Sequence, residues 1–304
     1  MSINRLIARL LTHMPQKLIW IVSKKYIAGP TLNDAVKLVI ELNEKNILST
    51  IDVLGESVDD HDQELAYQQM YLDTISAAKE NGLQTTFSLK PTMFGLKTDM
   101  DHCYKLVREI IEKASENGYF VRVDMEDSSC TDDELKLFTD LYNEFPAHVG
   151  IVLQAYLKRT ISDISYLSAI SKKKHPVNIR LCKGIYVEPE EIAYRRGKEV
   201  NQNFIESLRL IIHEGLYPAI ATHHKHLIAA SLNMIDEYGL KPQKYEFQML
   251  YGVTPQRGAQ IVGAGHRLRI YVPYGEQWFR YSMRRLQENP KMIWDVAKGI
   301  ILRK

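Results

Sequence analysis

From about Ile47 onward the chain alternates short β-rich runs with longer stretches of helical pattern, and few folds accommodate that alternation. The runs fall at 48–54, 85–90, 120–125, 149–154, 177–182, 218–222, 245–249 and 268–272. Helical stretches lie between them at 63–80, 101–116, 132–143, 162–173, 190–213, 226–238 and 255–262, and the eighth run leads to another at 277–288. Near-continuous apolar runs such as VRVDM (121–125) and VNIRL (177–181) suit strands buried on both faces. Strands that alternate with helices pair in parallel, and eight such units make a (β/α)8 barrel. No low-complexity linker and no evident repeat divides the chain. Residues 1–45 read as an N-terminal helical segment packed on a barrel at 46–304, one domain overall.

Each strand run ends in a polar or aromatic residue: Asp52, Lys90, Asp124, Gln154, Arg180 with Lys183, Thr222 with His223, Gln248, and Tyr271. In a barrel these ends meet at one mouth, where active sites are built. Strand ends approach solvent in any case, so one polar end says little. Eight in succession are costly to bury without a ligand to satisfy them. The chain reads as an enzyme.

The 39 basic and 37 acidic residues nearly balance, which argues against nucleic acid as a partner. Cys103, Cys130 and Cys182 form no metal-ligand spacing and no even set, so a reducing compartment is expected. The first 33 residues carry Arg5, Arg9, Lys17, Lys24 and Lys25 and no acidic residue. No apolar run there approaches the roughly 20 residues of a membrane span, and no signal-peptide cleavage site follows. Three readings stay open: a helical pair packed on the barrel, a basic amphipathic element at a membrane surface, and an Arg-rich presequence.

Gly263-Ala-Gly265 precedes a strand instead of following one and reads as a loop, not a dinucleotide fingerprint. His223-His224-Lys225-His226 lacks the helical spacing of a metal motif, so no metal is expected. No GxSxG elbow or kinase-like loop is present. Near the C-terminus, Tyr281, Arg284, Arg285 and Glu288 share one helical face, with Asn289-Pro290 as the stop. Two adjacent guanidinium forks suit a carboxylate or phosphate, with Glu288 placed to aim them. The same residues also read as a solvated helix with one ion pair. A mouth rich in arginine, lysine and tyrosine favours an anionic, planar cofactor and a small carboxylate substrate.

The segments RVDMEDS (122–128), VLQAY (152–156), RLCKGIY (180–186), ATHH (221–224), EFQMLYG (246–252), RIYVPYGE (269–276) and YSMRRLQEN (281–289) resemble the proline dehydrogenase family. The resemblance holds in register from about Ile27 to Asn289, through IAGPTLNDA and TIDVLGE as well. It implies a distorted α/β TIM-type (β/α)8 barrel with N-terminal helices. It also implies an FAD-dependent enzyme that oxidises L-proline to Δ1-pyrroline-5-carboxylate, the first step of proline catabolism to glutamate, and passes electrons to a membrane quinone.

Position by position, the resemblance makes Arg284, Arg285 and Lys90 a clamp on the substrate carboxylate, oriented by Glu288. Tyr186, Tyr271, Tyr281 and Leu250 enclose the proline ring. Asp124 lies beneath the substrate near Lys90 and Arg180 faces the flavin N5 edge, the two catalytic residues; Asp124 is read as holding Lys90 in a salt bridge, with an indirect part in proton handling. Met125 and Gln154 contact the isoalloxazine, while Lys183, Gly184, Ile185, Thr222 and His223 hold the rest of FAD. Without the resemblance, Asp124 reads as a strand-end cap, Tyr271 and Tyr281 as core aromatics, and Lys90 as a snorkelling surface lysine. Cys182 reads as inert packing.

Ile185, Tyr274, His224 and Glu188-Pro-Glu-Glu191 depart from the usual pattern, and altered cofactor contacts or pocket volume are expected there. Tyr271 is expected to crowd an added hydroxyl, so proline is preferred over 4-hydroxyproline. The competing readings are a membrane-docking scaffold and a metal-dependent lyase, both colourless. The expected setting is cytoplasmic at the inner face of a membrane, or the mitochondrial matrix in a eukaryote. A separate pyrroline-5-carboxylate dehydrogenase is expected downstream.

Overall fold

The computed structural model describes residues 19–20, 23–55, 57–58 and 60–288, with side chains through Met283. Its strands are β1 (Leu48–Val53), β2 (Thr85–Leu89), β3 (Val121–Val123), β4 (Val149–Gln154), β5 (Asn178–Cys182), β6 (Tyr217–Ala221), β7 (Glu246–Leu250) and β8 (Leu268–Tyr274), closed into a barrel in chain order. Every neighbouring pair is parallel. The helices are α1 (Leu32–Glu44), α2 (His61–Glu80), α3 (Met100–Glu116), α4 (Thr131–Glu144), α5 (Thr160–Ile170), α6 (Gly197–His213), α7 (Lys225–Glu237), α8 (Pro255–Gly263) and α9 (Trp278–Glu288). Short 3-10 turns lie at Pro91–Phe94 and Pro242–Lys244.

α1 starts where Thr31 and Asp34 cap each other's backbone N–H groups. It buries Ala35, Val36, Leu38, Val39 and Leu42, one face at helical spacing, against β1 and β8. That seam is where the helix after the eighth strand would pack in a simple barrel. With α1 there, α9 instead carries Tyr281 to the mouth. Trp20 meets Trp278 edge to face at 4.7 Å between ring centroids. The backbone N–H of Ala28 donates to Pro273 O (2.9 Å). Gly252 has φ +73°, and a Cβ there would fall 1.7 Å from Lys25 O, so only glycine allows this approach.

Along each strand, alternate side chains face the helix layer and the barrel interior. Ile51, Phe87, Leu89, Val121, Ile151, Leu153 and Ile179 are fully buried in the apolar core. The interior is polar, unlike the branched apolar layers usual in such barrels. Near its base, Arg269 grips Glu246 through Nε–Oε1 (2.8 Å) and Nη2–Oε2 (3.0 Å). Burial alone pushes the Glu246 carboxyl up, but Arg269 and its hydrogen bonds hold it at about 2. Gln248 Nε2 donates to Glu246 Oε1 (2.6 Å) and links this pair upward to the mouth. Unpaired, each buried ion would cost several kcal/mol, so the pairing is what makes a polar interior tolerable.

Among the boundaries that differ from the sequence pattern, three stand out. β8 runs past Val272, because Pro273 loses only a donor there and its carbonyl still accepts from Ala28. β3 stops at Val123. The helical pattern from 190 yields a helix only from Gly197, because residues 192–194 are drawn into backbone bonds with 156–158 (Lys158 N–H to Ile192 O, Tyr194 N–H to Tyr156 O). No helix among the described residues is long and apolar enough to cross a membrane.

Candidate active site

The strand C-termini open into a cavity of about 550 Å³, a size usual for small-molecule sites. Lys90, Asp124, Met125, Gln154 and Arg180 line it, from the ends of β2 to β5. Lys183, Gly184, Ile185 and Tyr186 reach it from the loop after β5, and Thr222, His223, Leu250, Tyr271 and Tyr281 complete it. Every residue given a substrate or cofactor contact by the resemblance, and whose side chain is described, therefore lines one mouth, whereas Tyr274 and Glu188–Glu191 do not. Arg284, Arg285 and Glu288 lie on α9, and their side chains are outside the described residues.

Lys90 Nζ stands 2.7 Å from Asp52 Oδ1, not in the expected bridge with Asp124. The strand register explains the change. Asp52 sits opposite Ser88 across the β1–β2 pair, one pleat below Lys90, within reach of its long side chain. Asp124 is already engaged: Oδ1 accepts from Ser88 Oγ (2.5 Å) and Arg180 Nη1 (2.8 Å), and Oδ2 from Tyr271 OH (3.3 Å). Burial favours a neutral Lys90, yet the surrounding carboxylates of Asp52, Asp124 and Glu126 hold its pKa above the usual lysine value. Burial raises Asp52 in spite of Lys90, and its second oxygen, Oδ2, has no partner among the described residues.

Arg180 is buried and fixed on three sides. Its Nε donates to Gln248 Oε1 (2.5 Å), and Nη1 to Ser88 Oγ (2.9 Å) and Asp124. The Tyr271 ring lies 5.4 Å from its guanidinium carbon. Ser88 was not singled out in the sequence, although its position one pleat below Lys90 is the signal that it faces inward. Gln154 Nε2 donates to Met125 O (3.2 Å) and Glu126 O (2.7 Å), which fixes the loop after β3. Glu126 in turn accepts from Thr92 N–H and Oγ1.

The loop after β5 is built around Gly184. Its φ is +94°, and a Cβ would fall 2.1 Å from the Tyr156 ring, so packing on Tyr156 demands the glycine. Ile185 and Val187 are exposed. Glu188 is buried and ties the loop down, accepting from Ser128 N–H (2.8 Å) and Ser128 Oγ (2.6 Å). Burial lowers the Lys183 pKa.

On the opposite side, His223 Nε2 accepts the Leu250 N–H (3.0 Å), which leaves Nδ1 to donate to Thr254 Oγ1 (3.2 Å). Burial, with Arg257 nearby, drops its pKa to about 4, so the ring is neutral at pH 7. Both of its nitrogens are engaged, so His223 itself has no lone pair left for a metal. His224 lines the cavity, and its buried Nδ1 has no hydrogen-bond partner among the described residues. Tyr274 does not face the cavity. As the last residue of β8 it points outward, where its hydroxyl meets Thr74 Oγ1 (2.6 Å), so it does not set pocket volume.

The proline dehydrogenase family model matches residues 35–296. Proline dehydrogenase 2 of Bacillus subtilis is 35% identical over 280 residues, covering 92% of this chain and 90% of the relative. Proline dehydrogenase of Deinococcus radiodurans is 33% identical over 286 residues, 93% and 91% of the two chains. Among solved structures, proline utilization A from Bdellovibrio bacteriovorus, inactivated by N-propargylglycine, superposes with a TM-score of 0.82 at 25% identity. That match covers 88% of this chain and 32% of that larger protein. With its eight-stranded barrel, its charged mouth and these likenesses over most of its length, the chain belongs to the proline dehydrogenase family.

Proposed function

We propose that this chain oxidises L-proline to Δ1-pyrroline-5-carboxylate, with FAD bound across the barrel mouth and a membrane quinone as final acceptor. The observation that carries the reading is the buried set Asp52–Lys90 and Asp124–Arg180 gathered under one cavity with Tyr271. A flavin suits the residues present. The cavity joins apolar Val152, Met249 and Leu250 to a few convergent polar groups, and Asp52 Oδ2 and His224 Nδ1 await a partner. Bound there, a flavin supplies the hydride acceptor that no side chain provides.

The chain's own residues do the rest. Arg180, held rigid by Asp124, Ser88 and Gln248, presents a fixed cation where negative charge develops. Lys90, kept protonated by Asp52, would face the substrate carboxylate, a role the resemblance also gives to Arg284 and Arg285 with Glu288, whose side chains lie outside the described residues. Tyr186, Tyr271, Tyr281 and Leu250 enclose the ring. Met125 and Gln154 would contact the cofactor ring system, and Lys183, Gly184, Ile185, Thr222 and His223 would hold its remainder. A separate pyrroline-5-carboxylate dehydrogenase takes the product.

Purified protein is expected to be yellow and to bleach when L-proline is added without oxygen. The phenol of Tyr271, pinned to Asp124, leaves little space for an added hydroxyl. A higher kcat/KM for L-proline than for trans-4-hydroxy-L-proline is therefore expected in the same assay. Folded protein that carries no flavin, or a flavin that L-proline does not reduce, would overturn the reading.

A further inference from the structure

Outside the barrel mouth, the first turns of α2 and α3 bring three side chains to one point. His61 and Glu64 share a face of α2 at a spacing of three, and His102 arrives from α3. Glu64 Oε2 lies 2.8 Å from His61 Nδ1 and 3.1 Å from His102 Nε2. All three atoms fall within 4.8 Å of one another. The Glu64 side chain is only 1% exposed, whereas His61 is 67% exposed. His102 Nε2 is buried and, despite its closeness to Glu64, is not aligned to hydrogen-bond with it or with any other described group.

We infer that His61, Glu64 and His102 form a binding site for a divalent transition metal, zinc above all. Two imidazole nitrogens and one carboxylate are a donor set suited to Zn²⁺, with Ni²⁺, Co²⁺ and Cu²⁺ as competitors, and unsuited to the all-oxygen preference of Ca²⁺ or Mg²⁺. Metal–ligand bonds of about 2.0–2.2 Å in a tetrahedron put ligand atoms roughly 3.4 Å apart. The observed contacts of 2.8 and 3.1 Å need open by about 0.6 and 0.3 Å, and the two imidazole nitrogens already lie within 4.8 Å of each other. The exposed His61 ring at a helix end can swing that far. Its solvent side leaves the fourth position to water.

A cation fills what the protein leaves unfilled, giving the buried His102 nitrogen a partner for its lone pair and the Glu64 carboxylate a counter-charge. Two helix N-termini carry partial positive charge, which works against a cation. Asp60 and Asp62 on the first turn of α2, and Asp99 and Asp101 on that of α3, offset it. Both N-caps also fix their turns: Asp60 Oδ1 accepts the Asp62 N–H (2.9 Å), and Asp99 Oδ1 the His102 N–H (3.0 Å). The metal would clasp α2 to α3, the helices that follow the strands ending near Asp52 and Lys90. That role is structural and independent of proline oxidation.

The test uses untagged full-length protein, stripped with chelator, dialysed, and titrated with ZnCl₂ by calorimetry. One equivalent is expected to bind, with a rise in Tm, and CoCl₂ is expected to give the visible bands of a tetrahedral ion. His61→Ala, which removes little packing, and His102→Ala should each weaken zinc at least about 10-fold, as the loss of even an outer-shell partner does. His213→Ala, at the far end of α6, should bind as the parent does. No saturable binding, or equal affinity in the His61→Ala and His102→Ala variants, would show an imidazole–carboxylate cluster and no metal site.

Discussion

Asp124 is the residue on which the mouth's electrostatics turn, because its two oxygens receive donors from β2, β5 and β8 at once. Removing it leaves the buried Arg180 cation with Gln248 and Ser88 but no counter-charge. Breaking a buried pair in this way costs about 3 kcal/mol. Asp124→Ala is therefore expected to lose about 3 kcal/mol in urea unfolding and to slow bleaching by proline. Asp124→Asn, which keeps an acceptor for Ser88, should fall between it and the parent. His223 provides a separate reading through pH. Its folded pKa of about 4 lies below the ordinary 6.5, so the unfolded chain takes up the proton first as pH falls. Its contribution to stability is complete above pH 6.5 and is lost progressively down to about 4. His223→Gln should flatten the dependence of unfolding free energy on pH across that window. An unchanged slope would show that the ring is not held neutral.

The loop after β5 shows how an element can be set by one buried carboxylate. Residues 190–196 carry a helical pattern, yet the Glu188–Ser128 bonds and the backbone bonds to 156–158 hold the segment as a strap beside the cavity. Hydrogen bonds to a charged acceptor contribute about 1.5–3 kcal/mol each. Their loss in Glu188→Ala is expected to raise the open population of the strap by at least about 10-fold. Limited trypsin digestion reads this directly. Cleavage at Lys183 and Arg195 should accelerate by that factor, while cleavage at Lys136 on α4 stays at the parent rate. Glu188→Gln, which keeps one acceptor oxygen, should cut at an intermediate rate, and equal rates for all three proteins would show that the tether does not hold the strap.

Across the whole molecule, the barrel was legible because buried parallel strands and their covering helices repeat with two distinct periods, and the strand ends announced the mouth. The long-range pairings were not. Whether Lys90 meets Asp52 or Asp124 depends on the stagger between strands, and the outward turn of Tyr274 depends on β8 continuing through Pro273. The His61–Glu64–His102 cluster joins two helices and has no local motif. The substitution of α1 for a final helix on the β8–β1 seam is equally a matter of packing, as is the meeting of Trp20 with Trp278 on α9. The first 33 residues carry five basic side chains and no acidic one, a charge pattern suited to an anionic surface. A basic residue near an anionic membrane contributes about 1 kcal/mol, and salt screens it. Deleting residues 1–18 removes Arg5, Arg9 and Lys17 while keeping the Trp20–Trp278 contact. The shortened chain is expected to bind phosphatidylserine-containing liposomes on the order of 100-fold more weakly at low salt, with the difference shrinking as salt is added. Neutral liposomes should not tell the two chains apart. Equal retention on anionic liposomes would confine the N-terminal segment to packing.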